Sequence, residues 1–411
     1  MTRPTRPTDL SPAARALLQA GLSRRRFLRG TGMGGAALLG GGLLSACGAD
    51  PGGTTEADSG EEVEDRSDED LTLNFSNWQL YIDVDEEDAN LRPTLEQFTE
   101  ETGVTVNYTE DINDNDSFYA RISPQLRAGQ DTGRDLMALT DWMAGRLIRQ
   151  EFVQEINKDN TPNFPGNLLP ALQNPSWDEE RSFSAPWQSG FAGIAYNGAI
   201  TGEVRTIDEL LSREDLRGRV TALLEWRDTV GLIMLGQGVD ISGDFTDDEF
   251  QAGIDALQKS VDAGQIRQFT GNEYSEGLAS GDIAACFAWS GDVIQLQLDN
   301  PDLQFVIPEA GCTLWSDNML IPVLAQHKKN AELLMNHYYD PGVAAELAAW
   351  VNYISPVDGA QEAMLELDPE LAENQLIFPT DETLERAYVF RGLTEEEEQS
   401  FTQAFNTVIG A

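Results

Sequence analysis

Three features of the sequence predict an α/β fold of two lobes. Short apolar stretches with a period of two alternate with longer stretches of helical period along all of residues 71–411. Helix punctuation falls between them: Pro93 near one helix start, Gly103 at its end, and Thr-x-x-Glu boxes at Thr206, Thr246 and Thr394. The region spans about 340 residues, on the order of two domains.

Residues 71–78 alternate as a strand, 92–102 read as a helix, and 104–108 alternate again. This is a β-α-β opening, so the first strands should be parallel and wound right-handed. A helix over 116–128, a buried strand over 135–139 and a helix over 141–149 follow. The strand at 192–197 crosses into a second α/β unit. There the Thr206 and Thr246 boxes start helices and 219–224 reads as a strand. Buried strands are expected at 283–289 and 319–323, then a helix over 331–339 and a last helix from Thr394 to about 408. No internal repeat is present.

Residues 1–46 carry an export address. Ser23-Arg-Arg-Arg-Phe-Leu28 fits the twin-arginine pattern, and the weakly apolar run behind it, 30–44, is too short for a mature membrane helix. Leu44-Ser-Ala-Cys47 is a bacterial lipobox, so Cys47 is the expected lipidation site. Residues 47–70 are rich in Gly, Asp, Glu and Ser and read as a disordered acidic tether. The chain is therefore expected outside the cytoplasmic membrane, on its periplasmic or extracellular face, held by lipid alone.

The whole chain has 27 basic and 70 acidic residues. Removing the first 46 residues, with their seven Arg and one Asp, leaves 20 against 69. Nucleic-acid binding needs basic patches, which this composition excludes. Such a field draws cations inward. Lysine occurs only four times, so most of the acidity reads as adaptation to high salt. Two cysteines remain in the folded part, Cys286 and Cys312, and an exported protein either bridges them or buries both as thiols. Without a histidine cluster they argue against a zinc site, and no cofactor or metal is expected.

Acids and aromatics recur together where strands end, which is where open α/β sheets bind ligands. Trp315 and Asp317 are two apart in an extended stretch and face the same way. An indole face beside a carboxylate suits an organic cation, through cation–π contact of roughly 0.5–2 kcal/mol and charge-assisted hydrogen bonds. The plainer reading is a strand-edge Trp and a turn Asp. Trp78 and Tyr81 follow the first strand, and Thr140 and Trp142 follow the strand at 135–139. Glu225 and Asp228 follow 219–224 and share a face if a helix begins there. Trp289 with Asp292, and Tyr353, complete the set.

These residues carry a resemblance. The chain is similar to the bacterial spermidine/putrescine-binding proteins, the capture subunits of polyamine ABC importers, from about Leu71 to the C-terminus. The shared features are the opening Asn77-Trp78 with Tyr81, the run 95–103, Trp289 before a small polar turn, and Trp315-x-Asp317-x-x-x-Ile-Pro. The resemblance implies a two-lobed type II periplasmic-binding-protein fold with a hinge and an interlobe cleft. It implies an aromatic box of Trp78, Tyr81, Trp289, Trp315 and Tyr353 around a methylene chain, with Asp317 on one amine and Glu225 and Asp228 on another part of the cation. Trp142 stands where that family commonly has Tyr, and Thr140 where it has a small hydroxyl residue. Gln79 replaces a usual Thr, and Glu225 and Asp228 look exchanged in length. The residue matching a C-terminal Gln falls at Phe390-Arg391, where an Arg turned into the cleft would oppose a cation.

The expected architecture assigns 71–189 and 315–360 to one lobe, and 190–314 and 361–411 to the other. The expected mechanism is hinge closure on a polyamine, followed by docking of the monomer on a permease and, through it, its ATPase. Rival readings are a binding protein for another organic cation or a sugar, and a glycosidase using a carboxylate pair such as Asp317 with Glu225. No residue is fixed as a proton donor, so an enzyme is not expected. His327 and His337 fall on a helix away from the cleft.

Overall fold

The computed structural model describes residues 64–85 and 87–410. The twin-arginine motif, the lipobox with Cys47, and the tether up to residue 63 lie outside the described residues.

Ten strands join one sheet among the described residues: β1 Thr72–Trp78, β2 Thr105–Ile112, β3 Leu136–Thr140, β4 Ser184–Asn197, β5 Val220–Leu223, β6 Ile266–Thr270, β7 Ala285–Trp289, β8 Leu303–Val306, β9 Cys312–Leu320 and β10 Ala387–Tyr388. Their order is β2-β1-β3-β9-β4-β7-β5-β6, with β10 on β9 and β8 on β4. β1 runs parallel to β2 and β3, and β5 parallel to β6 and β7, as helical crossovers require. The two parallel halves meet through antiparallel β4 and β9, paired from Ser184↔Leu320 to Ala192↔Thr313.

Those two strands carry the chain between two cores. Ala185 and Trp187 of β4 pack in one with Phe75, Met319, Tyr338 and Leu347. Ala192 and Ile194 of the same strand pack in the other with Val230, Phe250, Phe287 and Phe401. Trp289 and Trp315 pack against both cores. Each fully buried large apolar side chain contributes roughly 1.5–3 kcal/mol. A third contact crosses at the same level, where Ser189 and Ile354 exchange backbone hydrogen bonds of 2.9 and 2.8 Å.

Sequence periodicity finds only the last part of β4, at 192–197, whereas β9 is read as extended around Trp315 and Asp317 and as a buried strand from Met319. The missing stretch of β4, 184–191, is buried on both faces and interrupted by polar residues, so it does not alternate. Polar groups of the two strands pair across the sheet: Ser189 donates its hydroxyl to Ser316 Oγ at 2.8 Å, and Asn318 Nδ2 donates to Asp141 Oδ1 at 2.7 Å. The predicted helix starts hold. Thr206, Thr246 and Thr394 each form both arms of a capping box, a device whose N-cap is worth about 1 kcal/mol. Gly103 ends its helix at φ 78°, a backbone region that favours glycine.

Two expectations are corrected, and the open choice for the cysteines is decided. The tether does not extend to Asp70: residues 65–70 dock on the first lobe. Arg66 donates its amide to Gln326 O at 2.7 Å, Lys329 Nζ pairs with Asp68 at 2.6 Å, and Asn330 Nδ2 donates to Asp70 O at 3.1 Å. A polar segment can dock this way because hydrogen bonds hold it, without apolar burial. Cys286 and Cys312 are free buried thiols. They sit on β7 and β9 with β4 between them, a two-strand spacing of roughly 10 Å that exceeds disulfide reach. Segment 361–378 does not join the second lobe at its start. Met364, Ala372 and Ile377 pack on Ala345, Ala348 and Ala349 of helix Pro341–Val351, with Ile294 alongside.

Candidate functional site

The carboxyl ends of β1, β3 and β7, the turn after β5, and the middle of β9 converge where β4 and β9 cross between the cores. Asp317 points from β9 with 4% of its surface exposed. Thr140, its register partner on β3, donates Oγ1 to Asp317 Oδ1 at 2.7 Å. Asn115 Nδ2 holds that hydroxyl in turn, at 2.9 Å. The buried Tyr81 hydroxyl lies beside the same carboxylate and favours its charged form. Burial pushes the Asp317 carboxyl up to about 7, against the lowering pull of the Thr140 and Tyr81 hydroxyls.

Aromatic rings run from this acid into the cleft. Tyr81 meets Tyr353 edge-on at 5.4 Å, and Tyr353 meets Trp315 at 5.3 Å. The Tyr353 hydroxyl then donates to Asp292 Oδ1 at 2.8 Å. Tyr274 and Asn272 donate to the other oxygen of Asp292, at 2.7 and 2.8 Å. The Tyr274 hydroxyl also accepts the Trp289 amide at 2.9 Å. The Trp289 indole donates to Asp228 Oδ2 at 2.9 Å, and Thr313 donates to Asp228 Oδ1 at 2.6 Å. Burial raises Asp228 and Asp292 above the ordinary carboxylate range. Among the described residues none of the three aspartates has an ion pair, and every donor named to them is neutral.

Trp78 closes the wall on one side, its indole donating to Ala138 O at 3.0 Å. Gly190 on β4 is required here. A Cβ at Gly190 would lie 2.5 Å from the Trp315 ring and 2.8 Å from Tyr353, and one at Gly291 would lie 2.6 Å from Tyr353.

Two predicted residues stand apart from this ring, at the cleft mouth. Trp142, on helix Asp141–Arg149, gives its face to the Arg227 guanidinium at 3.7 Å. Glu225 is the N-cap of helix Trp226–Gly236, so the helix does begin between the two acids. Its Oε1 lies 3.7 Å from Arg227 Nη1. Burial raises the Glu225 carboxyl and the arginine lowers it. Arg391 is turned away from the cleft, over the Phe245 ring at 4.2 Å and paired with Glu397 at 2.6 Å. Gln79 is exposed and reaches Asn113 at 3.2 Å.

Sequence reasoning missed Tyr274, Asn115, Thr313 and Gly190, and named Asp292 without a role. The signal for Asp292 was its place three residues after Trp289. The others carry none, because their partners are distant in sequence. The histidines lie elsewhere: His327 Nδ1 is 3.0 Å from Asp135, and His337 Nε2 is 3.0 Å from Thr94 O. No cluster of three metal-ligating side chains occurs among the described residues.

Known proteins share this architecture. Residues 94–379 match the profile of the family described as bacterial extracellular solute-binding protein. The spermidine/putrescine-binding periplasmic protein of Escherichia coli is 26% identical over 320 residues, covering 77% of this chain and 86% of its own. The putrescine-binding periplasmic protein PotF of the same organism is 26% identical over 359 residues, covering 83% and 92%. Among solved structures, the spermidine/putrescine ABC transporter substrate-binding protein PotD of Streptococcus pneumoniae superposes with a TM-score of 0.67 at 24% identity, over 82% of this chain and 98% of that one. The TpPotD lipoprotein of Treponema pallidum gives 0.69 at 19% identity, over 83% and 100%. With the profile spanning well over half its length and the two-lobed fold in place, the chain belongs to the bacterial extracellular solute-binding protein family.

Proposed function

We propose that this protein captures a polyamine, putrescine or spermidine, in the cleft between its lobes and delivers it to an ABC importer. The observation that carries this reading is the set of three carboxylates, Asp228 and Asp317 buried and Asp292 half-buried, supplied only with neutral donors. Three anions around one cleft are excessive for a neutral sugar. A flexible chain of ammonium groups and methylenes satisfies both the acids and the aromatic walls. The names of the similar E. coli proteins support the same ligand class.

Each residue then has a role. Asp317, oriented by Thr140, takes one terminal amine beside Tyr81. Asp228 and Asp292 take the other end of a diamine. Trp78, Trp289, Trp315 and Tyr353 cover the methylenes. Glu225, whose Oε1 is shared with Arg227, offers its second oxygen to the outer amine of a longer polyamine, with Trp142 beside it. No step of chemistry is needed, and the site acts by binding alone.

Capture proceeds by hinge closure. The chain crosses between lobes near Ser189, near Trp315 and, in place of Gln361, near Ala387, where β10 joins β9. A ligand favours the closed form only by touching both lobes, and Trp289 and Trp315 pack on both. The monomer then docks on a permease coupled to an ATPase. Export by the twin-arginine route and lipidation at Cys47 hold it outside the cytoplasmic membrane. No helix among the described residues is long and apolar enough to cross one.

The test is tryptophan fluorescence of the mature chain titrated with putrescine, spermidine, a neutral sugar and betaine, at low and high salt to separate surface screening from site binding. A saturable polyamine response retained at high salt is expected. A response to the sugar or betaine alone overturns the polyamine assignment.

A further inference from the structure

A cavity lies outside the aromatic ring. It measures about 830 Å³ and runs between helix Asp141–Arg149 of the first lobe and the C-terminal helix Glu395–Ile409 of the second. At its inner end stands Glu398, 5% exposed. The four glutamates of that helix's first turn include Glu397, which serves the cap and Arg391. Glu398 is turned the other way, and three guanidinium groups surround it. Arg227 Nη2 is 2.8 Å from Oε1, Arg146 Nη2 is 3.0 Å from Oε1, and Arg149 Nη2 is 3.7 Å from Oε2.

These arginines come from opposite sides of the cleft. Arg227 rides on helix Trp226–Gly236, whose Trp226 and Val230 belong to the same core as Phe401 and Phe405 of the C-terminal helix. Arg146 and Arg149 ride on the helix whose Met143 and Leu147 pack with Ile112, Phe118 and Met137. A second interlobe contact runs in parallel, since the Arg227 guanidinium covers the Trp142 ring at 3.7 Å. Arg146 also pairs with Asp116 at 3.1 Å, within its own lobe.

We propose that Glu398 is a closure latch, a positioning residue that sets ligand affinity through the lobe equilibrium without touching the ligand. If the lobes part, Glu398 keeps Arg227 but loses Arg146 and Arg149, and Trp142 loses the guanidinium on its face. The latch therefore contributes to the closed form in proportion to closure, whatever the ligand is. A protein whose competent form is partly populated binds with an affinity reduced by that fraction, so the latch raises affinity for all ligands by one common factor. Charge placement supports the design. Three arginines face Glu398, Glu225 and Asp116, so the mouth is internally neutral and does not compete with the inner aspartates for a cation. The inference rests on the hinge reading above and is independent of the ligand's identity.

The experiment labels one site on each lobe of the full mature chain and measures the interlobe distance distribution with no ligand present. Wild type, Glu398→Gln and Arg146→Ala are compared, together with Arg149→Ala, whose side chain is 52% exposed and whose removal spares the core. Thermal melting confirms that each variant is folded. Glu398→Gln and Arg146→Ala are expected to shift the distribution towards longer distances. Their double variant should shift it no further than Glu398→Gln alone, since that substitution already removes the Arg146 contact. In titrations with putrescine and spermidine, Glu398→Gln should raise both Kd values by the same factor, about tenfold. Unchanged ligand-free distances in folded Glu398→Gln and Arg146→Ala overturn the latch, as does a change in Kd that differs between the two ligands. A chain that opens on mutation but binds no polyamine upholds the latch and defeats the ligand assignment instead.

Discussion

Asp317 and Glu398 are both buried carboxylates, 4% and 5% exposed, but they have opposite surroundings. Glu398 at the cleft mouth is met by three guanidinium groups. Asp317 in the inner chamber is met by hydroxyls, and its neighbours Asp228 and Asp292 likewise have only neutral donors. A buried charge without an opposite charge is costly, and proteins ordinarily pair it. The charge at Glu398 is thus compensated within the protein. Among the described residues no cationic side chain pairs with these three aspartates, and the proposed ligand supplies that partner.

The comparison can be tested from its strongest point outward. Asp317→Asn should weaken polyamine binding more than tenfold, measured by titration calorimetry, because a buried amine loses its charge partner. An unchanged Kd would remove Asp317 from the site and with it the contrast between the two regions. Gly190→Ala should weaken binding by about tenfold and destabilise the fold by about 1–3 kcal/mol, because the new methyl displaces Trp315 and Tyr353. Thermal melting with a parallel titration separates the two effects, and wild-type behaviour in both would show that the rings have room to move.

The pH dependence should distinguish the regions next. The Asp317 carboxyl sits at about 7 in the folded chain against an ordinary 3.8. Between those values the folded chain holds a proton that the unfolded chain has lost. Its contribution to stability is therefore present below the ordinary value and is lost as pH rises through about 7. Affinity for a cation runs the other way, since the carboxylate must be ionised to receive it. Calorimetry from about pH 5.5 to 8.5 should show affinity rising by up to tenfold per unit below 7 and levelling above. In Asp317→Asn that slope should flatten. Glu225→Gln should have the smallest effect, a few-fold loss for spermidine and less for putrescine, because Arg227 already compensates part of that charge. A loss as large as that of Asp317→Asn would make the mouth part of the primary cation site.

Trp315-x-Asp317 was legible in the sequence because a strand repeats every two residues, so two side chains of one strand share a direction without help from elsewhere. Trp78, Tyr81, Thr140 and Trp289 were legible because strand ends in an open α/β sheet point at one crevice. The capping boxes were equally readable, since their hydrogen bonds close within four residues. These features are local, and the amino-acid sequence by itself determined them, along with the α/β class and the acidic character of the chain.

Only the tertiary structure decided the rest. Whether Cys286 and Cys312 meet depends on β4 lying between their strands. Which acids are compensated depends on partners far along the chain: Arg227 meets Glu398 across 171 residues, and Thr140 meets Asp317 across 177. The first part of β4 escaped periodicity because burial on both faces removes alternation, and the polar residues there are tolerated only because the opposite strand satisfies them. Glu225 and Asp228 look alike as two acids three residues apart. One became half of an arginine pair and the other a carboxylate held by an indole and a hydroxyl, because charge compensation is settled by which side chains share a volume, and sequence spacing does not specify that volume.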